Sequence, residues 1–316
     1  MLFLLAFLLL FPCLHADPTP PQPLPWLTGP LLTPSAHVIP NGHYNIEPYE
    51  FVTTNFGVYN PNWDAQHTPK MYNVISQIPF QFGMPANFDF TFTPQWSWNH
   101  TNGASHWALN DMGFGFDYQI FARKPGDFFP SVKLALRGNL PLGKYQKLNP
   151  HAKRTDVGGT GSWLPGAGIV LSRLVHIKDF IFLSMRANLQ YTIPTPVHVK
   201  QFNAYGGGHP TQGKVFPGQT LLGLFGFELS LSQNWALAGD VQYQHINKTR
   251  FKGHAGKTRG IPNKVGGPSS ESLSLAPAVE YNWSSNYGVI AGAWFSVAGR
   301  NAAEFASGVV ALNIYH

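Results

Sequence analysis

Thirteen histidines, nine tryptophans and a sparse set of charges are the residues of this chain that could do chemistry. The histidines invite a metal reading, but no H-E-x-x-H occurs, no second cysteine accompanies Cys13, and no close histidine pair has a carboxylate at ligand spacing. His100 and His106 flank one connection, and His198 and His209 occupy another, as loop histidines do. A hydrolytic reading fares no better. There is no G-x-S-x-G, and no strand histidine stands beside a serine with an orienting asparagine, as a barrel phospholipase would need. The glycine-rich runs GGTGSWLPGAG (158–168) and YGGGHP (205–210) lack the strand-to-helix setting of a phosphate loop. The chain therefore reads as a non-enzyme with no metal and no other cofactor.

The charges carry more information. Only 11% of residues are charged, against roughly 25% in a soluble domain. Aromatic residues make up 14%, and mean hydropathy is −0.11. A helical membrane protein would be more apolar, whereas a transmembrane barrel hides its hydrophobicity by alternating it with polar residues. In FDFTFTPQWSWN (88–99), Phe88, Phe90, Phe92, Trp96 and Trp98 share one parity, and Asp89, Thr91, Thr93, Gln95, Ser97 and Asn99 share the other. That period of two is a strand with one apolar and one wet face.

Similar segments follow one another at about 43–59, 71–83, 87–99, 107–123, 129–143, 163–175, 180–193, 219–232, 235–247, 271–283, 287–298 and 305–315. Most reach the roughly 9–11 residues that a tilted membrane strand needs. Short connections near 84–87, 123–128, 176–179, 232–235 and 284–287 alternate with longer ones near 60–70, 100–106, 144–162, 194–218, 248–270 and 299–304. The fold class this predicts is all-β: an antiparallel up-and-down transmembrane β-barrel of about twelve strands, with short periplasmic turns and long external loops. Trp107, Trp163, Trp235, Tyr281 and Trp283 stand near segment ends, where interfacial aromatic girdles belong. A soluble sandwich with an aromatic core is the competing arrangement.

The barrel assigns the polar parity to the lumen. The predicted pore-lining set is Asp89, Asp117, Gln119, Arg123, Lys133, Arg137, Arg186, Asn188, Gln190, Glu228, Asp240, Gln242, Gln244, Glu280 and Asn282. Both signs are interleaved, so these charges are expected to pair across the wall. The net charge of +6 concentrates in external loops: Lys144, Lys147, Lys153 and Arg154 in one, and Lys248, Arg250, Lys252, Lys257, Arg259 and Lys264 in another. These basic loops fit contact with anionic lipopolysaccharide and outer-membrane lipid, or a funnel for anionic solutes. Without a binding fold they are weak evidence for nucleic acid, and none is expected.

The ends complete the domain plan. Residues 1–16, MLFLLAFLLLFPCLHA, read as a secretory signal peptide, though without a basic n-region. A retained anchor is the alternative; the residues before Cys13 make a poor lipoprotein signal. Residues 17–42 are Pro-rich and aperiodic, a flexible periplasmic leader or a segment that tucks into the lumen as a partial plug. Residues 43–316 form the barrel.

LNDMGFGFDYQIF (109–121) resembles a Gly-Asp strand of the bacterial outer-membrane family named for the MetA pathway of phenol degradation. The tail from 272 to 316 resembles that family's closing hairpins, with a departure at the last position, His316 in place of an aromatic residue. The resemblance implies a bacterial outer-membrane channel or transporter for small, hydrophobic or aromatic compounds. The alternative is a non-transporting surface barrel whose external loops are structural or adhesive.

Overall fold

The computed structural model describes residues 24–124, 127–258 and 260–316. The expected signal peptide, the first part of the leader (17–23), part of the expected turn at 123–128 and Arg259 lie outside the described residues.

Each of the first four staves of the wall is divided in two. They are β1 (Tyr44–Ile46) with β2 (Tyr49–Tyr59), β3 (Ala65–Gln77) with β4 (Phe80–Met84), β5 (Phe88–Thr93) with β6 (Gln95–Thr101), and β7 (Ala104–Leu109) with β8 (Met112–Phe121). Then come β9 (Ser131–Leu140), β10 (Gly166–Lys178) and β11 (Ile181–Thr192). Two short strands, β12 (Val197–Lys200) and β13 (Gln212–Phe216), precede the wall strands β14 (Thr220–Ser230) and β15 (Trp235–Ile246). Three more, β16 (Arg250–His254), β17 (Lys257–Thr258) and β18 (Ile261–Pro262), precede the closing strands β19 (Ser270–Asn282), β20 (Tyr287–Arg300) and β21 (Ala302–Tyr315).

The ring β1-β4-β5-β8-β9-β10-β11-β14-β15-β19-β20-β21 closes on itself, because Asn45 and Ile46 of β1 pair with Tyr315 and Ile314 of β21. This is a closed antiparallel barrel of twelve strands, and closure removes the unpaired edges that hydrocarbon would not tolerate. No described helix is long and apolar enough to cross a membrane.

The breaks in the first four staves share one physical logic. Pro48, Pro79 and Pro94 sit at three of them and lack the N–H a ladder needs. The fourth falls at Asn110-Asp111. The lower halves complete the ring, while the upper halves β2, β3, β6 and β7 branch from the outer part of β21. FDFTFT and QWSWNHT are thus two strands with different partners: β5 lies between β4 and β8, and β6 between β3 and β7.

Among the described residues no strand lies beside the outer edge of β7. Loop 141–165 seals it. The Asp111 N–H donates to the Gly158 carbonyl at 3.3 Å, and the Asp111 carboxylate accepts from Gly143 N and Thr160 N, both at 2.9 Å. Asn99 Nδ2 donates to the Thr155 carbonyl at 2.9 Å, and His106 Nδ1 lies 2.7 Å from Thr155 Oγ1.

Three outer connections are shorter than the sequence pattern predicts. Residues 60–64, 102–103 and 301 are tight, because the strands run on past their expected ends. Asn102 and Gly103 both take left-handed backbone angles, φ 47° and 79°, the demand of a two-residue hairpin turn. The other three outer connections are long, and the short strands β12 and β13, and β16 to β18, arise within two of them.

The faces follow parity. Trp107 is 71% exposed and Leu189 41%, both pointing away from the lumen, with Leu136, Ile169, Leu237 and Val279 in the same orientation. Trp235, Tyr281 and Trp283 cluster near one rim, Trp235 tilted against Tyr281 with ring centroids 4.7 Å apart and Tyr281 stacked on Trp283 at 6.0 Å. Apolar exposure on the outside and buried polar groups on the inside invert a soluble sandwich and match a lipid-facing wall.

Candidate functional site: the occupied lumen

The inward parity brings the predicted charges together as pairs. Asp117 lies 2.7 Å from Lys133 Nζ and accepts from Arg137 Nη2 at 3.0 Å. Arg186 Nη2 sits 2.9 Å from Glu228, which is fully buried. Glu228 faces Ala238 and Glu280 faces Ala236, so two carboxylates flank β15 on neighbouring strands. Small alanines on β15 leave room for them. These pairs lie along adjacent strands of the wall rather than across an open bore.

The bore itself is occupied. Residues 24–42 cross it as an irregular segment held by wall side chains at each step. Thr28 N and Oγ1 donate to Glu280 Oε1 at 2.5 and 2.8 Å, and Asn282 Nδ2 donates to the Trp26 carbonyl at 2.9 Å. Asp240 accepts from Leu32 N at 3.1 Å, from Thr33 N at 3.0 Å and from Thr33 Oγ1 at 2.6 Å. Ala36 N donates to Ser172 Oγ at 2.8 Å, and Gln119 both accepts from Val38 N and donates to the Ala36 carbonyl. Asp89 accepts from Ile39 N at 3.0 Å. An aperiodic Pro-rich strand cannot satisfy its own backbone, and here carboxylates and amides of the wall do it instead.

Apolar contacts accompany these bonds. Leu31 packs on Ala238, Ala276, Ala278, Ile290, Val309 and Ala311, while Ala36 packs on Ala135 and Val170. At Gly226 an added Cβ would stand 2.6 Å from Pro30 Cγ and 2.8 Å from Thr33 Cβ, so the wall is hollowed for the segment. Beside it remains a cavity of about 780 Å³, lined by Leu31, Val38 and Ile39 from the segment and by Tyr49, Gln81, Thr91, Phe114 and Tyr315 from the wall.

Of the other predicted lumen residues, Asn188 is buried and Gln190, Gln242 and Gln244 are half-buried on the inward parity. Arg123 does not lie on the wall. The ladder slips between Gln119 and Phe121, β8 ends at Phe121, and Arg123 Nε donates to the Asp127 carbonyl within the turn. The segment's own anchors, Thr28, Thr33 and Ala36, and Ser172 on the wall, are absent from the sequence prediction. The leader has no period to read, and Ser172 shares its face of β10 with Val170 and Leu174, so no polar alternation marks it.

Above the wall, Val197, Val199 and Val215 pack with Phe251, Val265, Tyr145 and Tyr205. The Tyr205 hydroxyl donates to the Thr160 carbonyl at 3.0 Å, and burial pushes its ionisation up to about 12. The predicted basic residues divide. Lys144 pairs with Asp156 at 2.6 Å, Lys153 Nζ donates to the Asn102 carbonyl and Arg154 to the Ala204 carbonyl, so these three fasten loop 141–165. Lys147, Lys248, Arg250, Lys252, Lys257 and Lys264 are exposed. Among the described residues no group of three or more His, Cys, Asp or Glu could hold a metal ion.

No protein-family model and no curated protein matches the chain. Solved structures do. The outer membrane channel COG4313 from Pseudomonas putida F1 superimposes with a TM-score of 0.66 at 7% identity, over 89% of this chain and 98% of that one. The β domain of the Bordetella autotransporter BrkA gives 0.46 at 10% identity, over 86% and 98%, and a deletion mutant of the monoaromatic hydrocarbon channel TodX gives 0.45 at 12%, over 87% and 91%. The first likeness, covering nearly both whole chains, agrees with the closed twelve-strand ring: the fold is that of a bacterial outer-membrane β-barrel.

Proposed function

We propose that this chain is a bacterial outer-membrane channel that lets small solutes cross passively, with hydrophobic or aromatic compounds as its cargo class. The observation that carries this reading is the cavity of about 780 Å³ between the crossing segment and the wall. Its size suits a small molecule rather than a polymer. Its lining mixes apolar faces (Leu31, Val38, Ile39) with hydroxyls and amides (Thr91, Gln81) that could orient a weakly polar ring. Its lining also carries charge: Lys133 and Arg137 share Asp117, Arg186 is paired with Glu228, and Glu47 and His37 complete the set. The sequence resemblance to the phenol-degradation channels falls within this reading.

Passage requires residues 24–42 to shift. The segment is held by hydrogen bonds and small apolar contacts, each of which contributes on the order of 1 kcal/mol, so it is removable in steps. Liposome swelling with a panel of monoaromatic, anionic and sugar solutes of similar size tests the proposal. The expected order places monoaromatic solutes fastest. Equal rates for all classes would remove the cargo assignment, and no flux for any would favour a surface barrel with structural or adhesive loops.

A further inference from the structure

The outer connections at 193–219 and 247–269 contain no aspartate or glutamate, although both carry basic residues. Within them β12, β13 and β16 form one sheet in that order. This sheet continues the wall without a slip. Thr192 pairs with Thr220 in the wall and Val197 with Val215 above it, in one register. Thr220 pairs with Ile246 in the wall and Phe216 with Arg250 above it, again in one register. Side-chain parity therefore carries over from wall to sheet. The residues that continue the lumen side are the even-numbered ones, in line with Asn188 on β11, Glu228 on β14 and Asp240 on β15.

The two faces of the sheet differ. On the parity of the lipid side stand Val197, Val199, Val215 and Phe251, packed against Tyr145, Tyr205 and Val265. On the parity of the lumen side the sheet is basic. His198, Lys214 and Lys252 form one cross-strand row, with Lys214 directly opposite both of the others. Phe216 and Arg250 stand opposite each other in the next row. Lys214 Nζ and Lys252 Nζ each lie 5.7 Å from the Phe216 ring centroid, so two ammonium groups share one ring. A cleft of about 900 Å³ adjoins them, lined by Phe216, Lys248, Arg250, Lys252 and Lys264 and by no carboxylate. None of the ion pairs among the described residues engages these cations. Like charges directly opposite in a ladder destabilise it. Deeper in the lumen each cation has its acid, Asp117 for Lys133 and Arg137, and Glu228 for Arg186. At the mouth the acid is missing, and a bound anion would take its place.

We infer that this lumen-side face is an entry site for a small organic anion, a carboxylate carried on an aromatic body. Lys214, Lys252 and Arg250 supply charge-assisted bonds to the carboxylate. Phe216, the one large apolar side chain on the lumen-side parity of these three strands, offers the ring a surface to lie against. The cleft has the size of a small-molecule site and not of a polymer groove. A solute entering from outside meets this face before it reaches residues 24–42. The inference narrows the aromatic cargo proposed above to anions. Its route depends on the channel reading, whereas binding depends only on the register of the sheet and the charges it gathers.

The test separates binding from flux. Para-fluorobenzoate, para-fluorobenzyl alcohol and trifluoroacetate are each titrated at neutral pH into the full-length barrel in detergent and followed by fluorine NMR line broadening. The wild type is compared with Lys214→Gln/Lys252→Gln and with Lys252→Glu, which gives Lys214 an acidic partner in place of the solute. Lys147→Gln, in a different loop, is the control. These positions are exposed or half-exposed, and circular dichroism checks that each barrel is retained; Lys252→Glu serves if the double variant does not fold. Para-fluorobenzoate is expected to bind the wild type and the control alike, and both other variants about ten-fold more weakly. The neutral alcohol and the ringless acid are expected to bind the wild type more weakly than para-fluorobenzoate does. In liposome swelling the same variants are expected to slow para-fluorobenzoate and leave the alcohol unchanged. Wild-type affinity for para-fluorobenzoate in the variants, or equal binding of the alcohol or of trifluoroacetate to the wild type, would overturn the assignment. Binding that the variants abolish, with no flux of any of the three solutes, would uphold the site and remove the channel reading instead.

Discussion

At the scale of single residues, the wall and the crossing segment are written in different codes. Asp117, Glu228, Asp240 and Glu280 are legible in the sequence because alternation fixes which way they point. Their partners on the segment are not legible, because Thr28 and Thr33 sit in a Pro-rich run with no period. Asp117 holds both Lys133 and Arg137, so Asp117→Ala leaves the buried Lys133 and the half-buried Arg137 without it. The expected cost is about 3 kcal/mol, read as a lower urea midpoint for unfolding from detergent. Gly226→Val places atoms where Pro30 and Thr33 now lie; the expected result is a displaced segment and a conductance above wild type, with the fold retained. Asp156 gives a pH dependence outside the membrane. Burial works against its charge, but Lys144 and the Asn149 N–H outweigh burial and hold its carboxyl below the usual value. A depressed carboxylate stabilises above the unfolded value of about 3.9 and loses that contribution as pH falls through the folded value. Loop 141–165 is therefore expected to stay closed to protease down to about pH 4 and to become cleavable below it.

Among elements, the informative feature is the level at which four staves break. Pro79 and Pro94 are visible in the sequence as missing donors, and a disturbance at Pro94 is a direct expectation from it. The break at Asn110-Asp111 carries no such mark, and neither does the consequence of all four, a branched sheet whose last strand, β7, needs a loop to cover its edge. The tight turn at Asn102-Gly103 stands where a longer connection over 100–106 is expected; its Asn-Gly dipeptide is the signal that reading passes over, and alternation obscures it, because the outward residues there, Ser105 and Trp107, do not look like a continuous apolar face. Asp111 is the fastening of the cover: its carboxylate accepts from Gly143 and Thr160. Asp111→Ala leaves those donors without their acceptor, at about 1–3 kcal/mol. Faster hydrogen exchange across 141–162 with unchanged exchange in β14 and β15 is the expected outcome. Uniform change over the whole barrel would instead mark a general structural role.

For the whole molecule, composition and alternation specify an apolar outside and a polar inside, and the structure realises both with twelve strands. Composition does not say that the polar inside is filled by the chain's own residues 24–42. That depends on long-range bonds such as Thr28 to Glu280 and Thr33 to Asp240, which no local pattern encodes. The central claim is that this segment is the obstruction a solute must pass. Conductance in planar bilayers tests it most directly, comparing the wild type with a chain lacking residues 24–42. Because the described residues contain no cysteine, Thr33→Cys with Asp240→Cys adds a reversible lock at a contact now made by hydrogen bonds. The account predicts a low conductance for the wild type, a severalfold higher one for the deletion, and for the locked pair a conductance that falls on oxidation and returns on reduction. Equal conductance in the wild type, the deletion and both states of the locked pair would contradict it.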